Sequence, residues 1–351
     1  MIKLRIAMGA ALLGLLSTAA PASAEEPAEV TWTEEKPAFT WSRSGLLDTA
    51  AVGEDVWTAG YQGAVSVGDA FLSFPLVNAK PVVQRYSAGK WKSFDLPGPV
   101  YGSMEQLAAG GPENVWVRGI SYTRLGTDLA PYLARWDGSA WTRVLLPEGV
   151  AVHDIAVASD ATFVIESSTE KLHTYADGQW TADSRFSSVR NIVSHPTGGT
   201  WIEAVENDRL VAARWAGGTW QELPLPDGVA SLTELYPLAP GYLLAYTDQK
   251  RYARWDGSAW APVGPADLAA PYADKAALSP AGTPWLTRYY APALSNPTAT
   301  VSWLDGSAWA TTWNPLPAHS HLKIRGITAT SGKIWVVGHG EKNPAVATTT
   351  S

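Results

Sequence analysis

Along the chain, short apolar runs alternate with polar turns in a repeating order. Each unit opens with an apolar run and a turn, then a second run centred on an aromatic residue. Examples are Asp55-Val56-Trp57, Asn114-Val115-Trp116, Gly199-Thr200-Trp201, Pro284-Trp285 and Lys333-Ile334-Trp335. A variable connection leads to a third run, a tight turn, and a fourth run that opens on another tryptophan. Runs this short, bounded by Gly, Asp and Pro, predict β-strands rather than helices. The turn is clearest in Arg135-Trp136-Asp137-Gly138-Ser139-Ala140-Trp141, which returns as Arg254-Trp255-Asp256-Gly257-Ser258-Ala259-Trp260. Looser copies end at Trp91, Trp180, Trp220 and Trp309. Gly supplies the positive φ such a turn needs, and Asp tolerates it while bonding nearby backbone. A proline follows shortly after (Pro97, Pro147, Pro226, Pro265, Pro315). It ends the outermost strand, where a missing N–H costs least.

The closing tryptophans stand at 91, 141, 180, 220, 260 and 309, with steps of 50, 39, 40, 40 and 49. Self-similarity near forty residues, with four strands per unit, predicts an all-β seven-bladed β-propeller. Six units are complete and the seventh is split. Ile324 to Thr330, Ile334 to Gly338 and Ala345 to Thr349 read as three strands without a fourth. Val30-Thr31-Trp32, followed by Pro37, reads as the fourth strand alone. The closing blade is therefore expected to combine three C-terminal strands with one N-terminal strand, which ties the ring shut.

This reading places fifteen of the 18 tryptophans in repeat positions. Seven open fourth strands, five sit in second strands, and three precede the turn. All fifteen are expected to pack between blades, each burying on the order of 150–250 Å². Trp41, Trp303 and Trp313 fall outside the pattern. Residues 1–24 read as a signal peptide: Lys3 and Arg5, an apolar run from Ile6 to Leu16, then Ala22-Ser23-Ala24. Residues 25–351 then form a single propeller domain, exported and extracellular, with no insertion into a membrane. Loss of Lys3 and Arg5 takes the formal net charge from -7 to -9. An acidic surface gives no electrostatic reason to bind nucleic acid. With no cysteine, stability must come from an extensive hydrophobic core.

The third-strand, turn and fourth-strand segment resembles the kelch and galactose-oxidase-like propellers. Those families also place an aromatic, a short turn, a tryptophan and a later proline in this order. The double glycine of that pattern is reduced to one here, as in Val336-Val337-Gly338 and Thr58-Ala59-Gly60. The Asp-Gly-x-x-Trp turn is also similar to the Asp-box hairpin of sialidases, but Asp137 to Trp141 is one residue shorter. Galactose-oxidase chemistry needs a cysteine cross-linked to a tyrosine, which this chain cannot supply. Sialidase chemistry needs an arginine cluster, whereas Arg85, Arg135, Arg214 and Arg254 occupy the repeat position before the turn and read as structural.

Connections between second and third strands share a face with the links between blades. By residue count the second-to-third connections are long in blades six, one and two, and such loops are more often functional than decorative. Trp41, Tyr61, Tyr101, Tyr289, Tyr290, His319, His321 and His339 gather toward that sector and are the candidate ligand-binding residues. His319, His321 and His339, with Glu341 nearby, make only a weak metal pattern, so no metal or other cofactor is expected. First strands each bring a polar residue to the central channel: Asp48, Glu105, Asp154, Asn191, Glu234, Lys275 and Arg325. No catalytic constellation stands out. The expectation is a secreted, monomeric, non-catalytic recognition protein that binds a glycan or protein partner through the long-loop face. The alternative is an extracellular polysaccharide hydrolase or lyase on the same scaffold.

Overall fold

The computed structural model describes residues 30–65, 77–265, 270–290, 298–306, 308–313, 315–316, 322–340 and 343–349. Seven antiparallel four-stranded sheets follow one another in chain order. The innermost strands are Gly45–Val52, Gly102–Gly111, Val152–Val157, Ser188–His195, Leu232–Ala239, Lys275–Leu278 and Lys323–Ala329. Each touches the innermost strand of the next sheet, and the last touches the first. The ring is closed, and the architecture is a seven-bladed β-propeller. Blades are numbered one to seven from these strands.

Blade seven is closed by both ends of the described chain. Its strands Lys323–Ala329, Ile334–His339 and Pro344–Thr349 pair in order, and Thr33–Glu34 adds the outermost position. Thr33 lies opposite Thr348 and Glu34 opposite Ala347. The Glu35 N–H donates to the Val346 carbonyl at 2.9 Å, and Lys333 Nζ reaches Glu35 Oε1 at 3.3 Å. Trp32 packs edge-on against Trp285 of blade six, ring centroids 5.9 Å apart. Deleting the segment through Glu35 would bare the backbone edge of Pro344–Thr349. Such a variant is expected to lose about 2 kcal/mol and to self-associate with rising concentration. Thermal unfolding with light scattering checks this, and unchanged melting would mean the ring closes without its N-terminal strand.

One packing rule accounts for the regular tryptophans. The second-strand aromatic of one blade lodges against the cross-strand aromatic pair of the next. Trp57 meets Trp136 and Trp141 at 5.4 and 5.5 Å. Trp335 meets Tyr86 and Trp91 at 4.8 and 6.1 Å. Phe163 meets Trp215 and Trp220 at 4.8 and 5.0 Å, and Trp201 shares a cluster with Trp255 and Trp260. Blade five departs from the rule. It has no second-strand tryptophan, and Tyr252 of its third strand meets Trp309 instead, at 5.5 Å. The arginines before the turn lie across the second-strand aromatics: Arg85 is 5.4 Å from Trp57, Arg214 is 5.3 Å from Trp201 and Arg254 is 4.4 Å from Tyr242. Their place is structural, through cation–π contact.

The turn between third and fourth strands comes in two chemistries. In the strict copies, Asp137 Oδ1 accepts from the N–H groups of Ser139 and Ala140 and from the Ser139 hydroxyl, at 2.8–2.9 Å. Asp256 does the same with Ser258 and Ala259. These backbone and hydroxyl donors hold both carboxyl groups down at about 2. In looser copies the ladder runs one pair further and two consecutive residues take positive φ. Examples are Asp177 and Gly178 (50° and 80°), or Gly217 and Gly218 (59° and 80°). That is the primed two-residue hairpin matched to strand twist.

Candidate functional site

A bulge recurs in the innermost strand and decides which side chains ring the channel. Register shifts fall between Leu46 and Asp48, Met104 and Gln106, Val152 and Asp154, Val189 and Asn191, Leu232 and Glu234, and Ile324 and Gly326. Matching the residue after the bulge gives Asp48, Gln106, Asp154, Asn191, Glu234 and Gly326, with Lys275 as the sixth-blade member by its register opposite Thr287. The expectation that Glu105 and Arg325 belong to this ring is corrected. Both are the extra, bulged residues, and Gln106 and Gly326 take their places. Gly326 is required there, because a Cβ would lie 2.9 Å from the Thr49 backbone nitrogen of blade one.

Two ring side chains tie their sheet to the next by satisfying bare backbone on the neighbouring inner edge. Asp48 Oδ2 accepts from Leu107 N–H at 2.9 Å. Gln106 Oε1 accepts from Ile155 N–H at 3.2 Å, and Gln106 also bonds Asp154. Lys275 reaches past Gly326 to Asp48 Oδ1 at 3.3 Å. Arg118 binds Gln106 Oε1 at 3.1 Å and Glu105 at 3.0 Å. Burial pushes Asp154 up, opposed by Gln106, Lys275 and Arg118. Asp48 pushes Lys275 up, against the effect of burial. A cavity of about 290 Å³ is bordered by Asp48, Gln106 and Lys275 of this level and runs along the inner strands to His195 and Thr330.

The upper face carries the second-to-third connections and the links between blades. Strand ends leave unequal stretches to span, 63–79 in blade one, 122–129 in blade two and 291–297 in blade six, against Asn207-Asp208 alone in blade four. Over blades seven, one and two, aromatic side chains converge. Tyr61 and His339 end equivalent second strands in adjacent blades, with ring centroids 6.4 Å apart. Tyr61 and Tyr101 pack with Tyr122, Ala64, Ala79 and Ile120. Trp41 lies on the link into blade one, 54% exposed. Its backbone N–H donates to Gln62 Oε1 at 3.1 Å, and Lys80 Nζ stands 4.5 Å from its ring. A cavity of about 350 Å³ opens beside Tyr101, Tyr122, Tyr132, Asp128 and Arg143.

Burial drives the His339 imidazole down to about 4, with Arg325 and Lys323 adding to the effect. It is neutral in ordinary conditions. Burial raises Tyr61, with Arg325 opposing. Tyr122 is raised by burial, then by Tyr61 and Glu105, and its hydroxyl has no hydrogen-bond partner among the described residues. The structure thus brings together Trp41, Tyr61, Tyr101 and His339. Tyr289 and Tyr290 end the second strand of blade six by their backbone, while His319, His321 and Glu341 lie outside the described residues. Among the described residues no cluster of three or more acidic, His or Cys side chains is placed to hold a metal.

A second polar recess lies between blades four and five. Arg190, Asn191, Glu203, Ser231, Thr233 and Glu234 border a cavity of about 380 Å³. Glu234 accepts from the Tyr272 hydroxyl at 2.7 Å and from Asn191 Nδ2 at 3.4 Å. Sequence reasoning placed Glu234 at the channel but missed Glu203, Tyr122 and Lys80. A charged residue inside the apolar run Trp201-Ile202-Glu203-Ala204 was the available signal for the first.

No protein-family model matches the sequence, and no curated protein is detectably similar. Solved structures are similar in fold. YCF48 bound to D1 peptide is 14% identical, with a TM-score of 0.56, 92% of this chain covered and 98% of that one. A streptogramin B lyase is 13% identical, with a TM-score of 0.55 and coverage of 93% and 100%. A fungal alcohol oxidase of the AA5 family, in complex with copper, is 12% identical, with a TM-score of 0.55 and coverage of 92% and 76%. It places a galactose-oxidase-like propeller among the distant structural neighbours. At such identities the likeness speaks for architecture alone, and what it establishes is that the chain is a seven-bladed β-propeller.

Proposed function

We propose that this chain is an exported, monomeric recognition propeller that binds a protein or glycan partner on the upper face over blades seven, one and two. The observation that carries the reading is the convergence there of Trp41, Tyr61, Tyr101 and His339 beside the unequal loops. Aromatic faces with polar tips suit a ligand that is part apolar and part hydrogen-bonding. Lys80 against Trp41 puts a positive charge beside the exposed ring. That favours a partner segment carrying carboxylates. A neighbour of the same fold holds a peptide, which is consistent with a polypeptide ligand.

The test is capture of partners from culture medium, together with a glycan array and a polysaccharide-cleavage screen on the purified protein. Trp41→Ala is expected to weaken the captured interaction about tenfold, or roughly 1.4 kcal/mol, while the melting temperature stays within experimental scatter. Turnover of a polysaccharide would favour the hydrolase or lyase reading. Binding lost in Trp220→Ala with an intact fold would mean the site lies elsewhere, because Trp220 is an inter-blade wedge.

A further inference from the structure

Glu203 differs from the other carboxylates of the channel region. It is 5% exposed, and it sits between Ile202 and Ala204, both part of a hydrophobic cluster shared by blades three and four. Asp48, Asp154 and Glu234 each have hydrogen-bond partners. No hydrogen bond or ion pair reaches the Glu203 carboxyl group from the described residues. Its carboxyl oxygens are not sealed in the core but open onto the recess, while the rest of the side chain is buried. The cavity of about 380 Å³ opens at this group, with Glu234 on its wall held in place by Tyr272 and Asn191.

We propose that the recess between blades four and five binds an organic cation, an alkylammonium or guanidinium group, between Glu203 and Glu234. Two carboxylates and a few hydroxyls fall short of the six to eight oxygens that calcium takes. The volume also exceeds the roughly 30 Å³ share of one water or small ion, and it admits a charged head with part of its stem. The charged neighbours fit this occupant. Burial holds Glu203 up at about 7, with Glu234 raising it further and Arg190 opposing. Burial also raises Glu234, with Asp274 and Asp154 adding and Tyr272 and Lys275 opposing. An arriving cation favours the ionised form of Glu203. Its carboxyl proton then leaves to solvent, and an ion pair remains.

This site lies on other blades than the aromatic sector, so either reading can fail while the other stands. Calorimetric titration of the purified protein with butylammonium and with an acetylated, amidated tripeptide centred on lysine tests it. Near the Glu203 midpoint of about 7, binding should release roughly half a proton per ligand, seen as heat that varies with the buffer. About two units higher the release should vanish. Glu203→Gln should weaken binding at least about tenfold and abolish the release, without lowering the melting temperature. Glu234→Gln, on the cavity wall, should weaken binding as well and serves if the first variant folds poorly. Tighter binding of the tripeptide would assign the cation to a polypeptide side chain, and tighter binding of butylammonium to a free amine. The proposal is overturned if neither cation saturates the protein, or if the matching norleucine tripeptide binds as tightly. Calcium binding in preference to both, or polysaccharide cleavage lost in Glu203→Gln, would overturn it too.

Discussion

Replacing Trp57 with alanine is expected to destabilise the protein by about 4 kcal/mol, the largest loss from any single substitution considered. Trp57 is 1% exposed. Its ring stands 5.3, 5.4 and 5.5 Å from Phe94, Trp136 and Trp141. Those partners belong to two blades, so the indole is the shared contact of one inter-blade seam. Removing it forfeits the transfer free energy of the ring and leaves a void that the two close-packed sheets can only partly collapse to fill. Arg85 would also lose its aromatic platform and keep only its ion pair with Asp55. Denaturant unfolding of the variant measures the loss. Trp313→Ala is the matched control, since that ring is 64% exposed and its removal should change stability by less than about 0.5 kcal/mol. If the two variants prove equally stable, the seam is not held by its aromatic wedge.

Lys275→Met is expected to cost about 2 kcal/mol through charge rather than packing. Breaking a buried ion pair by removing one partner typically costs about 3–5 kcal/mol. The figure is reduced here because the Lys275 side chain keeps 43% exposure to channel solvent and is partly screened. Two carboxylates lose their countercharge, Asp48 at 3.3 Å and Asp154 further off. The sign of the pH dependence follows from Asp154. Its folded-state pKa is raised by burial, so ionised Asp154 opposes folding above the unfolded value near 3.9 and stops doing so in acid. Lys275 relieves that opposition at neutral pH, and its own raised pKa keeps it charged until well into the alkaline range. The difference between variant and parent should therefore shrink as the pH falls through the raised folded-state range of Asp154 and be largely gone by about pH 4. A difference constant across that range would assign the loss to packing of the lysine stem.

The seven-bladed ring and its split closing blade were legible because the wedges are aromatic and recur in register with the turn. Trp32, Trp91, Trp141 and their kin mark one strand per blade, which is enough to count sheets. The bulge in the innermost strand was not legible. It changes which of two adjacent residues enters the channel ring, and Glu105-Gln106 and Arg325-Gly326 carry no local signal of where the extra residue falls. Of the upper-face residues, Tyr61, Tyr101 and His339 could be grouped from loop topology alone. Lys80 and Tyr122 could not, because their nearness to Trp41 and Tyr61 depends on how the connections of blades one and two fold back over the rim. Glu203 was hidden for another reason. A strand alternates its faces, and the sequence does not say whether the side toward the next blade is filled or hollow.

The pairing of Thr33 with Thr348 has a bearing on how the molecule assembles. The first strand of the described chain meets its partner only once nearly everything between them has been made. Closing a loop of that length carries an entropy term of roughly 5 kcal/mol, and contacts so distant in sequence slow folding. Six blades can form one after another as the polypeptide elongates, each seam zipped by its own wedge. The circle must wait for the last strand, so the folding chain passes through an arc with two unmated rims.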